Sequence, residues 1–260
     1  MLNRELEHAY GDWVHFLQDS YMCTLLARLG HPETAMRDLR PLLRRIYERL
    51  LGAMLASEFP AKSERWPTRM ADLDPCGHYE GPVLDQDTRV AIACIVRAGT
   101  LPAEICYDSL LQALPETNVR LDYLSMSRRT DAKGQVIGTD TSGSKIGGDI
   151  SDGILLIPDP MGATGGTIAR TLEIYEERGL GPWRRAIAMP MIATPEYVRR
   201  LHPYRDKLSI WAGRLDRGRS RPEVLAKLPG SDDSESGLND KQYIVPGAGG
   251  VGELLSNSWV

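Results

Sequence analysis

The sequence is poor in the residues that build metal centres and disulfide frameworks. Its four cysteines share no C-x-x-C spacing, and its five histidines are scattered along the 260 residues. A structural zinc site needs cysteines or histidines paired at short spacing, so we expect neither such a site nor histidine-based catalysis. The simplest interpretation is a set of reduced thiols, which favours a cytoplasmic location.

The sequence also lacks long apolar runs and an excess of positive charge. No segment approaches the roughly 20 consecutive apolar residues that a membrane-spanning helix requires. The formal net charge is -4, from 31 Lys and Arg against 35 Asp and Glu. Such a balance gives no broad attraction for nucleic acid or for anionic membranes. We therefore expect a soluble protein that binds small molecules, with neither nucleic acid nor a membrane as a partner.

From about residue 89 onward, short apolar segments alternate with amphipathic ones. Segments rich in β-branched and small apolar residues predict strands, and apolar residues at helical spacing predict helices. Predicted strands span 89–96, 119–126, 153–158, 185–193, 208–212 and 242–245, and predicted helices span 102–114 and 168–178. This alternation predicts an α/β fold with a mostly parallel central sheet flanked by helices. Ligands of such a sheet bind at the carboxyl ends of its strands.

The remaining segments are expected to surround that sheet within a single domain, residues 1–260, because this length suits one large core. Residues 1–60 are predicted to form a helical N-terminal segment, and the breaks in periodicity between 59 and 81 predict a connector. The polar segment 130–152 predicts a flexible loop that acts as a lid, since long loops inside compact domains are usually functional. The charged segment 217–237 predicts a surface insertion.

The glycine-rich stretch from Asp159 to Thr167 lies between a predicted strand and a predicted helix. A strand, a Gly/Thr loop that opens on an acid, and a helix are a typical phosphate-binding arrangement, because loop N–H groups and the helix dipole converge on the anion. The Asp159 carboxylate is suited to accepting sugar hydroxyls. The alternative is a tight connection whose small residues only permit close packing, but two threonines and an opening acid favour a sugar-phosphate site. The predicted cradle comprises Asp159, Pro160, Met161, Gly162, Ala163, Thr164, Gly165, Gly166 and Thr167.

Cationic side chains follow two other predicted strands. Arg97 comes directly after the 89–96 strand, and Arg128 and Arg129 come after the 119–126 strand. In a parallel sheet these positions share the edge at which Asp159 is expected. For Arg97 the alternative is a surface ion pair. For Lys145, within the polar 130–152 segment, a solvated side chain is an equally good interpretation.

These motifs resemble those of the type I phosphoribosyltransferases, and in particular the uracil phosphoribosyltransferase family. The family's Asp-Pro-Met-x-Ala-Thr-Gly-Gly stands here as Asp159 to Gly166. Val96-Arg97-Ala98-Gly99 resembles its Leu-Arg-Ala-Gly loop, and Leu238 to Gly247 resembles its Leu-Asn-Glu-x-x-Tyr-Ile-Val-Pro-Gly. The three motifs occur in the family's order, and the resemblance extends from about residue 24 onward.

The resemblance implies the type I phosphoribosyltransferase fold with a flexible hairpin, and transfer of phosphoribose from phosphoribosyl pyrophosphate (PRPP) to a uracil-like base. The products would be a nucleoside 5′-monophosphate and pyrophosphate. By the same resemblance, the residues from Asp159 to Thr167 would bind the ribose and the 5-phosphate. Arg97 and Arg128 would meet the pyrophosphate, with Arg129 as the alternative to Arg128. Lys145 falls where the family's hairpin carries a lysine.

The catalytic set implied by the resemblance is Asp159, Arg97 and Arg128. Mg²⁺ is the expected cofactor, held through PRPP rather than by a set of protein side chains, because magnesium favours phosphate oxygens. The resemblance and the apolar N-terminal helices also predict a homo-oligomer.

On the base side, the resemblance implies contacts from Tyr243, Ile244, Gly249, Gly250 and Val251. The family continues there as Gly-Asp-Ala-Gly-Asp-Arg, so the acid that contacts ligand in the family is replaced by Gly250 in this chain. The family's paired aromatics before the hairpin lysine are also absent. A uracil-like base is the predicted acceptor. The alternatives are another base in a specialised pathway, or a non-catalytic regulator that binds PRPP or a nucleotide.

Overall fold

The structure, a computed structural model, describes residues 5–130 and 136–257, and gives side-chain positions for all of them except 127–130 and 136–141. Within these residues the strands, in chain order, are β1 (Val14–Phe16), β2 (Ala61–Pro67), β3 (His78–Leu84), β4 (Val90–Val96), β5 (Val119–Thr130), β6 (Val136–Lys145), β7 (Ile154–Ile157), β8 (Met161–Gly162), β9 (Arg185–Ala188), β10 (Ile192–Ala193), β11 (Leu208–Ala212) and β12 (Arg214–Leu215). The helices are α1 (Ser20–Leu29), α2 (Met36–Glu58), α3 (Thr100–Leu110), α4 (Gly166–Glu177), α5 (Pro195–Leu201), α6 (Pro222–Leu225) and α7 (Val251–Ser256).

The central sheet has seven strands in the order β1-β11-β9-β7-β4-β5-β6. All neighbouring strands run parallel except β5 and β6, which pair antiparallel at one edge. Separate sheets are formed by β12-β10-β8 and by the hairpin β2-β3. The sequence prediction of a mostly parallel α/β sheet is therefore confirmed.

Apolar residues fill both faces of this sheet, as the continuous apolar composition of its strands requires. Along β4, Ile92 and Cys94 pack into a cluster with α1, α2 and α3, whereas Ala91, Ala93 and Ile95 pack into a second cluster with α4 and α5. Two helical layers thus enclose the sheet and fix the strand ends that carry the site. No helix in the described ranges is long and apolar enough to span a membrane.

The predicted helical segment 1–60 is only partly correct. Helices α1 and α2 are present, but Val14–Phe16 forms β1, which pairs with Ile210 to Ala212 of β11 at the outer edge of the sheet. Trp13 and Phe16 are 4% and 0% exposed, so the core buries both aromatic rings. The prediction failed because three residues are too few to show a strand period.

Two segments predicted as loops contain strands. The 59–81 connector instead contains β2 and most of β3, with Trp66 opposite Tyr79 in an antiparallel hairpin. In the 130–152 segment, residues Val136–Lys145 form β6 and pair with β5. Both segments are polar or Gly-rich, and neither β2 nor β3 contains a buried residue, so their hairpin shows no apolar alternation in its sequence. The structure therefore replaces the predicted 130–152 loop with a hairpin, which is the form that the family resemblance implies.

Near the carboxyl edge of the sheet, the predicted strand 185–193 is divided into β9 and β10, with Met189 to Met191 between them. The predicted strand 242–245 is not formed; this segment makes a turn closed by a single bridge between Leu238 and Ile244. The division lets β10 leave the main sheet and join β8 and β12, and this small sheet becomes the framework of the site.

The predicted surface insertion 217–237 is tied to the body of the protein by Glu235. Its carboxylate is 1% exposed and accepts hydrogen bonds from the Tyr10 hydroxyl (2.5 Å), from Arg217 Nη1 (2.6 Å) and from the Gly230 N–H. Burial, together with this carboxylate, raises the pKa of the Tyr10 hydroxyl far above its usual range, so Tyr10 stays a donor. The 217–237 segment therefore packs against the body of the protein through the buried carboxylate of Glu235.

Candidate active site

The stretch from Asp159 to Thr167 forms the predicted cradle, in which β7 ends, β8 turns away and α4 begins. Gly165 precedes α4 with φ +75°, and a Cβ atom there would lie 3.1 Å from the carbonyl oxygen of Tyr197 and 3.2 Å from Cβ of Arg200. Any other residue would be strained at this corner, which favours glycine. The first turn of the 12-residue α4 presents N–H groups that no helix carbonyl accepts, which suits an anion.

Arg97 and Asp159 leave the sheet at the same edge. Strands β4 and β7 pair in parallel with Ile92 opposite Leu156, Arg97 follows β4 directly, and Asp159 lies two residues beyond β7. The Val96–Arg97 peptide bond is cis. Arg97 is exposed and Asp159 is half-buried, so both residues are accessible at this edge of the sheet.

The other cradle residues differ in burial. Those that pack inward are Pro160, Gly162, Ala163 and Gly165, and those that stay half-buried are Asp159, Met161, Thr164, Gly166 and Thr167. The half-buried group includes the acid and both hydroxyls, which are the polar side chains assigned to the sugar phosphate. The structure thus separates a packing set from a set that can meet a ligand.

Two buried tyrosines underlie Asp159. Burial raises the pKa of the Tyr47 and Tyr197 hydroxyls well above their usual range, and the negative charge of Asp159 contributes to both shifts. Both phenols therefore remain neutral at physiological pH. The Tyr47 hydroxyl donates to the carbonyl of Met189 at 3.0 Å, which joins α2 to the connection between β9 and β10.

Thr194 connects the cradle to α5. Its buried hydroxyl donates to the carbonyl oxygen of Ala163 (2.6 Å) and accepts the Tyr197 N–H (3.1 Å), which caps α5. The Thr194 N–H also donates to the carbonyl of Gly162 at 3.1 Å. The cradle backbone is therefore fixed before any ligand arrives.

Asp216 connects the small sheet to the C-terminal turn. The side chain is 2% exposed and accepts hydrogen bonds from Arg214 Nε (2.6 Å) and Nη2 (2.8 Å) and from the Gly247 N–H (2.7 Å). Arg214 Nη2 also donates to the carbonyl of Gly247 at 3.3 Å. Because β12 pairs with β10 and β10 pairs with β8, this ion pair joins the C-terminal turn to the cradle.

Sequence reasoning missed Arg214 and Asp216. They follow the predicted 208–212 strand at the ligand edge, two residues apart, so their position was a usable signal.

The predicted base-side residues lie together on and after this turn. Tyr243 is 48% exposed and Ile244 is 8% exposed. Gly249 has φ +74° and open space where a Cβ would stand, while Val251 is buried at the start of α7. The turn reaches the Arg97 loop, because a Cβ on Gly252 would lie 3.3 Å from Cβ of Ala98. The cradle, the Arg97 loop and the C-terminal turn therefore belong to one connected edge.

The hairpin residues are placed farther away. Lys145 ends β6 and pairs with Tyr123 of β5, so β4 and β5 stand between it and β7. At about 4.8 Å per strand, its backbone lies roughly 14 Å from β7. In β5, Arg128 and Arg129 pair with Thr139 and Gly138, but their side chains lie outside the described ones. The roles of Lys145, Arg128 and Arg129 stay predictions.

Asp122 and Tyr175 anchor the cradle helix from behind. Asp122 is fully buried on β5 and accepts hydrogen bonds from the Tyr175 hydroxyl of α4 (2.6 Å), the Gly147 N–H (2.8 Å) and Arg120 Nε (3.1 Å). This network joins the base of the β5-β6 hairpin to α4. Among the described residues, the Tyr175 hydroxyl is the only group of α4 that hydrogen-bonds to Asp122.

We expect Tyr175→Phe to lower the free energy of unfolding by about 1.5–3 kcal/mol, because Asp122 loses a donor to its charge. Tyr204→Phe is the matched control, since its hydroxyl makes no hydrogen bond within the described part of the chain. Chemical denaturation of both variants measures the difference. Equal midpoints would show that the Asp122 network does not stabilise α4.

Comparison with known proteins defines the class and then the family. The fold matches the adenine phosphoribosyltransferase of Trypanosoma brucei, solved with AMP, pyrophosphate and ribose-5-phosphate, with a TM-score of 0.51 at 9% identity over 89% of this chain and 92% of that one. It also matches the AQ2163 protein of Aquifex aeolicus, with a TM-score of 0.70 at 21% identity over 95% and 99% of the two chains. The architecture is thus that of the type I phosphoribosyltransferases.

The uracil phosphoribosyltransferase family model matches residues 17–256, and the chain belongs to this family of pentosyltransferases. Uracil phosphoribosyltransferases of Burkholderia pseudomallei and Burkholderia thailandensis are each 26% identical over 230 residues, or 88% of both chains. The resemblance based on the three motifs is therefore confirmed.

Proposed function

We propose that the protein transfers the 5-phosphoribosyl group of PRPP to a ring nitrogen of a uracil-like base, giving a nucleoside 5′-monophosphate and pyrophosphate. The observation that carries this proposal is the connection of the Asp159–Thr167 cradle to the Gly247–Gly252 turn through Asp216 and the small sheet. A donor site and an acceptor site built on one framework are what a two-substrate transfer requires.

On the donor side, the first turn of α4 and the hydroxyls of Thr164 and Thr167 bind the 5-phosphate. Asp159, half-buried at the end of β7, accepts hydrogen bonds from the ribose hydroxyls. Arg97, exposed directly after β4, binds the pyrophosphate group. The same arrangement orients C1′ of the ribose towards the C-terminal turn.

In the reaction, the bond between C1′ and the pyrophosphate oxygen breaks, and the pyrophosphate leaves with the electron pair. The base nitrogen then forms the new bond to C1′ and releases its proton to solvent. Positive charge develops on the ribose ring and negative charge on the leaving group, so the Arg97 guanidinium stabilises the transition state more than the ground state. Catalysis follows from positioning and charge, without a single indispensable general base.

We also propose Mg²⁺ as the cofactor, bound with PRPP. Within the described residues no group of three or more His, Cys, Asp or Glu side chains is placed to hold a metal ion. The half-buried Asp159 carboxylate at the end of β7 offers oxygen donors of the kind Mg²⁺ prefers, and the ion would take its other ligands from phosphate oxygens and water. When bound, the ion would offset the charge of the leaving pyrophosphate.

The proposed setting is the cytoplasm, and the proposed assembly is a homo-oligomer. The four cysteines are free, and two of them, Cys94 and Cys106, are buried in the core. The β2-β3 hairpin carries exposed apolar side chains, namely Trp66, Met70, Leu73 and Tyr79. A second copy of the chain would remove such a patch from water.

Pyrophosphate release from PRPP and Mg²⁺, measured with a panel of pyrimidine and purine bases, tests the proposal. We expect release only when a uracil-like base is present, and roughly 100-fold slower release from Asp159→Asn, because an oriented group in the site is lost. Tight PRPP binding without release for any base would reject the enzymatic function and identify a binding protein.

A further inference from the structure

Gly250 lies against the side chain of Glu253. A Cβ on Gly250 would stand 2.5 Å from Oε2 of Glu253 and 3.2 Å from its Cδ, and these are the two nearest atoms to that position. The backbone of Gly250 has φ -79° and ψ 80°, so positive φ is not what requires glycine there. The carboxylate of Glu253 thus occupies the place that a side chain at position 250 would take.

The residues of α7 that precede Glu253 pack against the rest of the protein. Val251 is 4% exposed within the core, and Gly252 approaches Ala98 in the Arg97 loop. Glu253 itself is half-buried, and its carboxylate has no hydrogen bond or ion pair among the described residues. Its oxygens therefore lie on the base-side turn with their acceptor positions available to a ligand.

We propose that Glu253 is a specificity-determining residue, whose carboxylate accepts a hydrogen bond from a ring N–H or amino group of the base. This inference rests on the proposed function. The chain lacks an acid at position 250, and the Glu253 carboxylate stands where a Cβ atom of residue 250 would be. Gly250 is the residue that makes this possible, because any larger side chain would displace the Glu253 carboxylate.

The hydrogen-bonding chemistry of the Glu253 carboxylate determines which ligands it selects. A carboxylate only accepts hydrogen bonds, so a base that presents an N–H donor to it is favoured and a base that presents a carbonyl is disfavoured. A ribose hydroxyl is the other donor within the same class of chemistry. The two are distinguished by their place in the fold: Glu253 belongs to α7, which follows the turn proposed to bind the base, whereas Asp159 follows β7 in the cradle proposed to bind the ribose.

The test compares Glu253→Ala, Glu253→Gln and the double variant Gly250→Asp with Glu253→Ala. In the double variant, Glu253→Ala removes the carboxylate that would collide with a side chain at position 250. Gly250→Asp then supplies a carboxylate from position 250 itself. Asp240→Asn is the matched control, since Asp240 is exposed in the same C-terminal segment and makes no side-chain contact of this kind. Base KM, kcat and the Kd for PRPP are measured for each.

We expect Glu253→Ala and Glu253→Gln to raise the base KM roughly 10- to 100-fold, the value of a hydrogen bond to a charged group, with the Kd for PRPP unchanged. The double variant recovers at least half of that loss on a logarithmic scale, and Asp240→Asn behaves as wild type. An unchanged base KM in Glu253→Ala would overturn the inference. A weakened Kd for PRPP would move the contact to the ribose and would overturn it as well.

Failure of the proposed transferase function can be distinguished from failure of the Glu253 assignment. If the wild type releases no pyrophosphate with any base, binding of UMP and of ribose 5-phosphate is compared in the wild type and in Glu253→Ala. Weaker binding of UMP alone supports Glu253 as a base-reading residue in a binding protein. Equal binding of UMP by the two proteins, or no binding by either, refutes the assignment.

Discussion

Gly165→Ala should weaken PRPP binding roughly 10- to 100-fold while the protein still folds. A non-glycine residue in the left-handed region costs about 1–2 kcal/mol. The new Cβ would also lie 3.1 Å from the Tyr197 carbonyl and 3.2 Å from Cβ of Arg200, so the loop must move away from α5. That movement misdirects the N–H groups of the first turn of α4, and each factor of ten in Kd corresponds to about 1.4 kcal/mol. Calorimetric titration with PRPP measures the change.

Gly179→Ala is the matched control for this variant. Gly179 follows the other end of α4 with φ +65°, but nothing lies within 4 Å of its Cβ position. We expect a similar loss of stability with an unchanged Kd for PRPP. If both variants bound PRPP as tightly as the wild type, the cradle would not be the phosphate site.

Asp216→Asn should lower the free energy of unfolding by about 3 kcal/mol, since removing one partner of a buried ion pair leaves a charge uncompensated. Asp216 is 2% exposed and Arg214 carries its charge beside it. The C-terminal turn loses its charged acceptor at Gly247, so we also expect the base KM to rise more than the Kd for PRPP. Denaturation midpoints and steady-state kinetics measure the two effects.

Two controls separate the buried pair from a general effect of charge. Asp87→Asn makes the same change in an exposed ion pair with Lys62 and is expected to leave the midpoint nearly unchanged. The double variant Arg214→Leu with Asp216→Asn removes the uncompensated charge and should recover part of the stability. A midpoint for Asp216→Asn equal to that of Asp87→Asn would contradict the role of Asp216 as the connector of the two half-sites.

The sheet was predictable from sequence because its strands are buried on both faces. The runs that become β4 and β7 are continuously apolar, and that of β11 is interrupted only by Ser209, as expected for parallel strands buried on both faces. The helices α2, α3 and α4 were equally visible from their spacing. Of the strands that were missed, β1 has only three residues, and β2 and β3 contain no buried residue, so burial leaves no pattern in their sequence.

The donor half of the site was predictable for a related reason. The Gly165 corner and the threonines of the cradle follow from local geometry, and local geometry constrains sequence at fixed spacing. Asp216 and Glu253 were harder to recognise because their importance depends on contacts across the fold. Asp216 meets Gly247 across 31 positions of the chain, and the role of Glu253 depends on the absence of a side chain at Gly250.

The cradle and the C-terminal turn have different roles in the proposed function. In the proposed function the cradle binds the donor, and Thr194 holds its backbone through Gly162 and Ala163. In the proposed function the C-terminal turn selects the acceptor, and we expect the Glu253 carboxylate to contribute to that selection. Base selectivity is thus expected to depend on the turn alone.

Mass spectrometry of the products formed from PRPP, Mg²⁺ and uracil tests the central claim most directly. The account predicts a nucleoside monophosphate with the mass of UMP, formed together with one equivalent of pyrophosphate. Intact PRPP, or PRPP hydrolysed to ribose 5-phosphate without any base-containing product across the whole base panel, would contradict it.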